Sequence, residues 1–279
     1  MATTYLWMNK SGGNMNLSIV IPFFNECENI PKIRNELLPV ISDLSLSFSI
    51  EIIFVDDGSQ DGTMDSLKAL FGPFENPNIS IKYASNDGNW GLGKALRTGF
   101  KECTGDIIIT TDFDGTYKFE KIKELLSYLG SGIDIVTASP YHPNGKVVGV
   151  PAFRIILSKG SSFIYRILVL RKINTYTCLF RAYRRDVIEQ IPFVSNGFMA
   201  GTELLVKAIL SGYIVVEFPA DLYRRMYGTS KAKLLRTIFA HLRFQMNIIL
   251  HRLRLISLTD HNKGRKSLFW FTTKYSVNH

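Results

Sequence analysis

Two aspartates one residue apart, Asp112 and Asp114, close the run Asp106-Ile107-Ile108-Ile109-Thr110-Thr111. That run is apolar and β-branched, as expected of a strand covered on both faces. Residues i and i+2 of an extended chain point to the same face, so both carboxylates can reach one point at the strand's carboxyl end. Two hard oxygen ligands in that place suit Mg²⁺ or Mn²⁺, with phosphate oxygens completing the shell. A solvated acidic turn would carry the same two residues, so the surrounding elements must decide between the readings.

Those elements alternate regularly. Residues 17–22 form a short apolar strand ended by Pro22, since a proline cannot extend a central ladder, and helical spacing follows over 28–44. A second strand, 50–55, runs into Asp56-Asp57-Gly58-Ser59-Gln60-Asp61-Gly62-Thr63, where Asp61 or Thr63 caps a helix over 64–70. A strand at 79–83, a polar loop at 86–93 and a helix at 94–101 precede the aspartate strand. A helix at 119–129 and a strand at 134–138 follow it. This pattern predicts an α/β fold, a mostly parallel open sheet flanked by helices with right-handed crossovers. Ligands of such sheets bind beyond the carboxyl ends of the strands. Asn25 and Glu26, Asp56 and Asp57, and Asp112 and Asp114 all fall on that edge, which favours a binding site over a solvated turn.

Other classes fall away. No GxxxxGK[ST] occurs, and Gly91-Leu92-Gly93 lacks the third glycine and follows the third strand, so P-loop and dinucleotide readings are weak. Cys27, Cys103 and Cys178 form no CxxC, which fits a reducing compartment without thiolate metal. No run reaches the roughly 18–20 apolar residues of a membrane span, and residues 1–16 lack the apolar core of a signal peptide. The formal charge of +9 belongs to the end of the chain: ten Lys/Arg and one acid, Asp260, follow residue 230, and 23 of each sign precede it. Over 233–258, apolar residues such as Leu235, Phe239, Leu242 and Met246 recur at helical spacing among Arg236, Arg243, Arg252 and Arg254. A basic amphipathic C-terminal helix of this kind suits an anionic membrane surface. Packing on the domain or pairing in a homo-oligomer is the competing reading. Phe269, Trp270 and Phe271 extend the basic-aromatic character over 263–274. Nucleic acid is disfavoured by the neutral body.

Val20-Ile21-Pro22-Phe23-Phe24-Asn25-Glu26, the Asp56 to Thr63 loop, Asn89 to Gly93 and Asp112-Phe113-Asp114 together resemble the family 2 inverting glycosyltransferases of the GT-A fold. Within them the resemblance is to the dolichol-phosphate mannosyltransferases and bacterial polyprenyl-phosphate sugar transferases, over about residues 17–231. It implies a GT-A domain at 17–230, which leaves an N-terminal arm at 1–16 and the basic amphipathic tail at 231–279, with membrane association and packing as its two readings. It implies a nucleotide-diphosphate sugar donor held by Pro22, Phe24, Glu26, Val55, Asp57, Asp112, Phe113 and Asp114, with Arg225 and Lys231 gripping the donor phosphates. Asp112 and Asp114 would carry the Mg²⁺ or Mn²⁺. The implied acceptor is a polyprenyl or dolichyl phosphate meeting Arg154, Ser158 and Lys159, at the cytoplasmic face of a membrane. Phe24 stands where relatives usually have tyrosine, Pro140 where mannosyl relatives have a phosphate-binding arginine, and Gly115-Thr116 where a Leu-Gln pair is usual, so the sugar stays open.

Transfer from such a donor leaves negative charge on the departing diphosphate, which a metal and fixed cations stabilise. Asp114 and Arg225 fit that role. A lipid phosphate attacks without a base, whereas a sugar hydroxyl needs one. Glu203 is the candidate base, and its competing reading is an acid favoured at the start of a helix over 203–210. The alternatives are an enzyme extending a glycan on a sugar hydroxyl, or a non-catalytic nucleotide-sugar-binding subunit docked on a membrane-anchoring partner.

Overall fold

A computed structural model of the chain describes residues 15–227 and 234–259. Strands β1 (Met15–Phe23), β2 (Phe48–Asp56), β3 (Ile79–Ser85), β4 (Ile107–Thr110) and β5 (Ile135–Ser139) follow the expected succession. Between them lie α1 (Ile30–Lys32), α2 (Leu38–Leu44), α3 (Thr63–Phe71), α4 (Leu92–Glu102) and α5 (Lys121–Ser127), with a π-helical turn at Ile33–Leu37 joining the first two. Then come β6 (Val147–Val148), α6 (Ala152–Val169), β7 (Arg181–Arg184), α7 (Arg185–Gln190), α8 (Ala200–Leu210), β8 (Val215–Pro219), β9 (Leu222–Tyr223) and α9 (Leu234–Arg252).

Seven strands form one sheet in the order β3-β2-β1-β4-β7-β5-β8. All neighbours are parallel except β7, which runs antiparallel to both β4 and β5. Alternation along the strands explains the three layers. Leu17, Ile19 and Ile21 of β1, and Ile50, Ile52 and Phe54 of β2, join α2, α3 and α5 in one buried cluster. Val20, Ile53 and Val55 point the other way, into a second cluster with α4, α6, α8 and α9. Burying both faces of the strands is what makes their sequences nearly continuously apolar.

β1 continues one residue past Pro22 to Phe23. The last β1–β4 pair is Val20↔Thr110, so the side of β1 that Pro22 faces is beyond the end of that ladder and a missing N–H costs nothing there. On the β2 side the strand goes on pairing, and Phe23 accepts a hydrogen bond from Asp57 N–H (2.9 Å). At the start of α3 the N-cap position is Gly62, and the Asp61 carboxylate accepts the Thr63 N–H at 3.1 Å. β6 and β9 make a small parallel pair that carries the 222–225 segment beside the aspartate loop, with Tyr223 N–H donating to Thr116 O at 2.9 Å.

Candidate active site

At the carboxyl edge of the sheet the loops after β1 and β2 are stitched together by their own polar residues. Asn25, at φ 51°, accepts the Gln60 N–H on its side-chain oxygen and gives its own N–H to Ser59 Oγ, both at 2.8 Å. Glu26 N–H donates to Thr63 Oγ1 at 2.9 Å. Asp57 is buried and accepts from Asn86 Nδ2 (2.8 Å) and Gly91 N–H (2.6 Å), so its carboxylate shapes the loop before α4. That loop needs Gly91: its φ is 99°, and a Cβ there would come within 2.6 Å of Asn196 O.

The two aspartates after β4 have unlike surroundings. Asp114 Oδ2 accepts from Arg225 Nε at 2.5 Å, and Arg225 also meets Glu26 Oε1 at 3.0 Å. The turn after Asp114 closes on itself through Thr116 N–H donating to Oδ1 (3.0 Å), with Gly115 at φ 61°, and Lys32 Nζ holds the Asp114 carbonyl at 2.9 Å. Burial lowers the Arg225 pKa, but the charges of Asp114 and Glu26 outweigh it and hold the group above its ordinary value. Asp112 makes no hydrogen bond or ion pair among the described residues. Burial first, then the Asp114 charge, pushes its carboxyl up to about 7, with Arg225 offsetting only part. Arg225 thus pairs with Asp114 and Glu26 and offsets part of the charge felt by Asp112, and a divalent cation fits the unpaired Asp112 beside Asp114. Among the described residues no three or more His, Cys, Asp or Glu side chains gather as a cation site, so a cation at Asp112 and Asp114 would take its further oxygens from a diphosphate.

The acceptor candidates lie on α6. Ser158 Oγ is 2.7 Å from Thr177 Oγ1, and Lys159 Nζ stands 5.1 Å from the centre of the Tyr141 ring. Arg154 is exposed one turn earlier, on the Ser158 side of the helix. Tyr117 is buried and stacks on Phe180 at 5.6 Å, and its pKa is raised chiefly by that burial, with Cys178, Asp112 and Tyr141 adding to it. Tyr141, Thr177 and Tyr117 were not signalled by the sequence motifs, because their placement depends on β5, β7 and α6 meeting in space.

The glycosyl transferase family 2 profile matches residues 18–192. The chain belongs to that family. It is 33% identical over 231 residues to a dolichol-phosphate mannosyltransferase of Pyrococcus furiosus, an alignment covering 82% of this chain and 62% of that protein. A polyprenol monophosphomannose synthase of Mycolicibacterium smegmatis is 32% identical over 76% of this chain and 79% of its own. The chain therefore spans less than two thirds of the Pyrococcus relative. Among solved structures, glucosyl-3-phosphoglycerate synthase of Mycobacterium tuberculosis with Mn²⁺, UDP and glucosyl-3-phosphoglycerate has a TM-score of 0.64 at 20% identity, covering 90% of this chain and 85% of that one. The mannosyltransferase PcManGT of Pyrobaculum calidifontis with GDP-Man and Mn²⁺ gives 0.56 at 16%, covering 86% and 65%. These share the GT-A architecture, and the expected fold class holds.

The family 2 motifs do not all present side chains to the edge. Phe113 is 2% exposed and packs 5.2 Å from Phe23, ring centre to ring centre, on the core side of the strand end. Val55 is fully buried in the second cluster. Both were expected to touch the donor. Alternation turns both side chains inward, where they support the loops. Pro22 is buried and Phe24 half-buried at the end of β1. Glu203 lies in the first turn of α8, which begins at Ala200, and is 2% exposed. Its oxygens accept from Val194 N–H (3.1 Å), Ser195 N–H (2.9 Å) and Lys207 Nζ (2.7 Å). Burial raises its pKa, but the bonds from Lys207 and Ser195 prevail and hold it below the ordinary value. A carboxylate so occupied anchors the 193–197 loop, whose Asn196 O accepts the Gly93 N–H at 2.6 Å. Lys231 lies outside the described residues, as do 1–14 and 260–279.

Proposed function

We propose that this family 2 enzyme moves a sugar from a nucleotide-diphosphate sugar to the phosphate of a polyprenyl or dolichyl phosphate at the cytoplasmic face of a membrane. The observation that carries the reading is the Asp112, Asp114, Glu26 and Arg225 cluster: one cation among three carboxylates, one of them unpaired, at the strand ends. A Mg²⁺ or Mn²⁺ ion held by Asp112 and Asp114 would supply positive charge against the departing diphosphate. Arg225 supplies a fixed cation at the same place, and Lys32 fixes the backbone of the aspartate turn. Asp57 and the Gly91 loop shape the nucleoside end.

In the reaction a phosphate oxygen of the lipid forms the new bond to the anomeric carbon while the bond to the diphosphate breaks, the electron pair leaving with the nucleoside diphosphate. The attacking phosphate is already anionic near neutral pH, its second pKa being about 6. No protein base is needed, which agrees with Glu203 being engaged by three donors. The relatives named for dolichol-phosphate and polyprenol-phosphate mannose transfer support the same acceptor, with Ser158, Lys159 and Arg154 meeting its phosphate. Presenting polyprenyl phosphate, unphosphorylated polyprenol and free sugars in parallel tests the reading. Product is expected with the phosphate alone, and transfer to a sugar hydroxyl would overturn it.

A further inference from the structure

Asp57 stands at the nucleoside end of the site, and the groups around its carboxylate limit what it can still accept. Three donors already point at it. Asn86 Nδ2 (2.8 Å) and the Trp90 N–H (3.3 Å) both meet Oδ1, and the Gly91 N–H meets Oδ2 at 2.6 Å. A carboxylate has about four acceptor positions, two on each oxygen. Both positions on Oδ1 are therefore taken, and Oδ2 keeps one.

The local structure holds these donors in place. The Gly91 and Trp90 groups are backbone, and the loop that carries them is pressed against its neighbours. A Cβ on Gly58, just after Asp57, would come within 2.7 Å of the Gly88 carbonyl carbon. The Trp90 N–H is shared with Gly88 O at 3.1 Å, so it is the weaker of the two on Oδ1, yet it still covers that side of the oxygen. Asn86 is fixed at both ends: its N–H donates to Asp56 O (2.8 Å), and its side-chain oxygen accepts from Thr98 Oγ1 of α4 (2.8 Å). With a carboxylate on its other side, the amide must turn its NH₂ to Asp57. Asp57 is itself 4% exposed, and its N–H is bound by Phe23 O.

The four nucleobases place different demands on such an acceptor. Guanine turns two parallel N–H groups, N1–H and one of N2, along one edge, and the pair requires both oxygens of a carboxylate. Here one of them would meet the occupied Oδ1 and stay unpaired, which is costly in a buried place. Uracil turns a single imide N–H, which one position on Oδ2 satisfies. Adenine and cytosine offer only an amine N–H beside a ring nitrogen whose lone pair would face the carboxylate. An imide N–H, polarised by a carbonyl on each side, is the better partner for a negative oxygen.

We infer that the donor read by Asp57 is a uridine-diphosphate sugar, and that Asn86 is the residue that turns guanine away. Discrimination arises from an acceptor position already occupied within the protein, without any clash against the wrong base. The inference rests on the nucleotide-sugar reading and names the base that this reading leaves open.

The test titrates UDP, GDP, CDP and ADP into the full chain by calorimetry, each with Mn²⁺ and without any acceptor, so base choice and lipid transfer can fail separately. Wild-type protein should bind UDP about tenfold or more tightly than each of the others. Asn86→Ala frees one position on Oδ1, so GDP should then bind within about threefold of UDP; thermal unfolding checks that the variant folds, and the wild-type comparison decides without it. GDP binding as tightly as UDP to the wild type would overturn the inference, as would CDP or ADP binding tightest. A folded Asn86→Ala protein with an unchanged preference would overturn the role of Asn86. A wild-type preference for GDP together with transfer to polyprenyl phosphate would sink this inference and leave the lipid-phosphate reading standing. No binding of any of the four would overturn it along with the donor reading on which it rests.

Discussion

Replacing Arg225 with Ala tests the electrostatic logic of the site in the absence of any substrate. The Arg225 side chain is 25% exposed and joins Glu26 and Asp114, which are 7% and 5% exposed. Its loss leaves those two carboxylates and Asp112 without their shared counter-charge. Breaking a buried pair costs about 3–5 kcal/mol, and access of water to a quarter of the guanidinium reduces this to about 2–3 kcal/mol. At about 2–4 °C per kcal/mol for a domain of this size, the melting temperature in chelator should drop by about 4–12 °C. Millimolar Mn²⁺ should then raise it more than it raises the wild type, because the cation binds a cluster that has lost its own neutralising group. Turnover should fall by about 10²–10³, the usual cost of a lost charge-stabilising donor. Differential scanning fluorimetry with and without Mn²⁺, followed by kinetics, reads both effects. An unchanged melting temperature together with turnover within fivefold of wild type would refute the reasoning.

Other residues give separate predictions. Glu203→Gln keeps an acceptor for one loop N–H, so turnover should fall less than about tenfold with a raised donor KM; a loss beyond about 10³-fold at unchanged KM would restore the base role. His241 is pushed down to about 4 by burial, so below its ordinary 6.5 the unfolded chain takes up a proton that the folded chain refuses. Stability is thus fully present above pH 6.5 and should fall by about 3 kcal/mol by pH 4; His241→Phe should flatten that limb of the melting curve, and an equal loss in the variant would contradict it. Arg181, fully buried, donates to Thr137 Oγ1 at 3.0 Å, Tyr176 O at 2.7 Å and Gly201 O, so Arg181→Met should cost about 3 kcal/mol or more by chemical denaturation.

How much of this was legible depended on whether the signal was local. β1, β2 and β4 announce themselves because both faces are buried, and the acids at their carboxyl ends follow directly. The same alternation that brings Asp112 and Asp114 to one side turns Phe113 inward, so a motif match does not by itself say how its side chains divide between the edge and the core. β7 was not legible. It has four residues, two of them arginine, and its place between β4 and β5 is set by long-range pairing and by carbonyls that only the fold brings to Arg181. The apolar spacing of α9 was visible, and packing on the domain and exposing an apolar stripe proved compatible rather than rival, because the helix buries Phe244 and Ile248 and exposes Leu235, Phe239 and Met246. What the sequence could not reveal was its neighbour α6, whose outward Ile156, Phe163 and Ile167 become recognisable as one stripe only once Tyr165 and Val169 are known to point inward.

The central claim is tested most directly by incubating the protein with nucleotide-sugar donors, Mg²⁺ or Mn²⁺ and a short polyprenyl phosphate, beside Asp114→Asn, and reading products by mass spectrometry. The account predicts a sugar joined to the lipid phosphate that appears only with metal and is lost in the variant. Donor binding or hydrolysis with no lipid-linked sugar under any donor would contradict it.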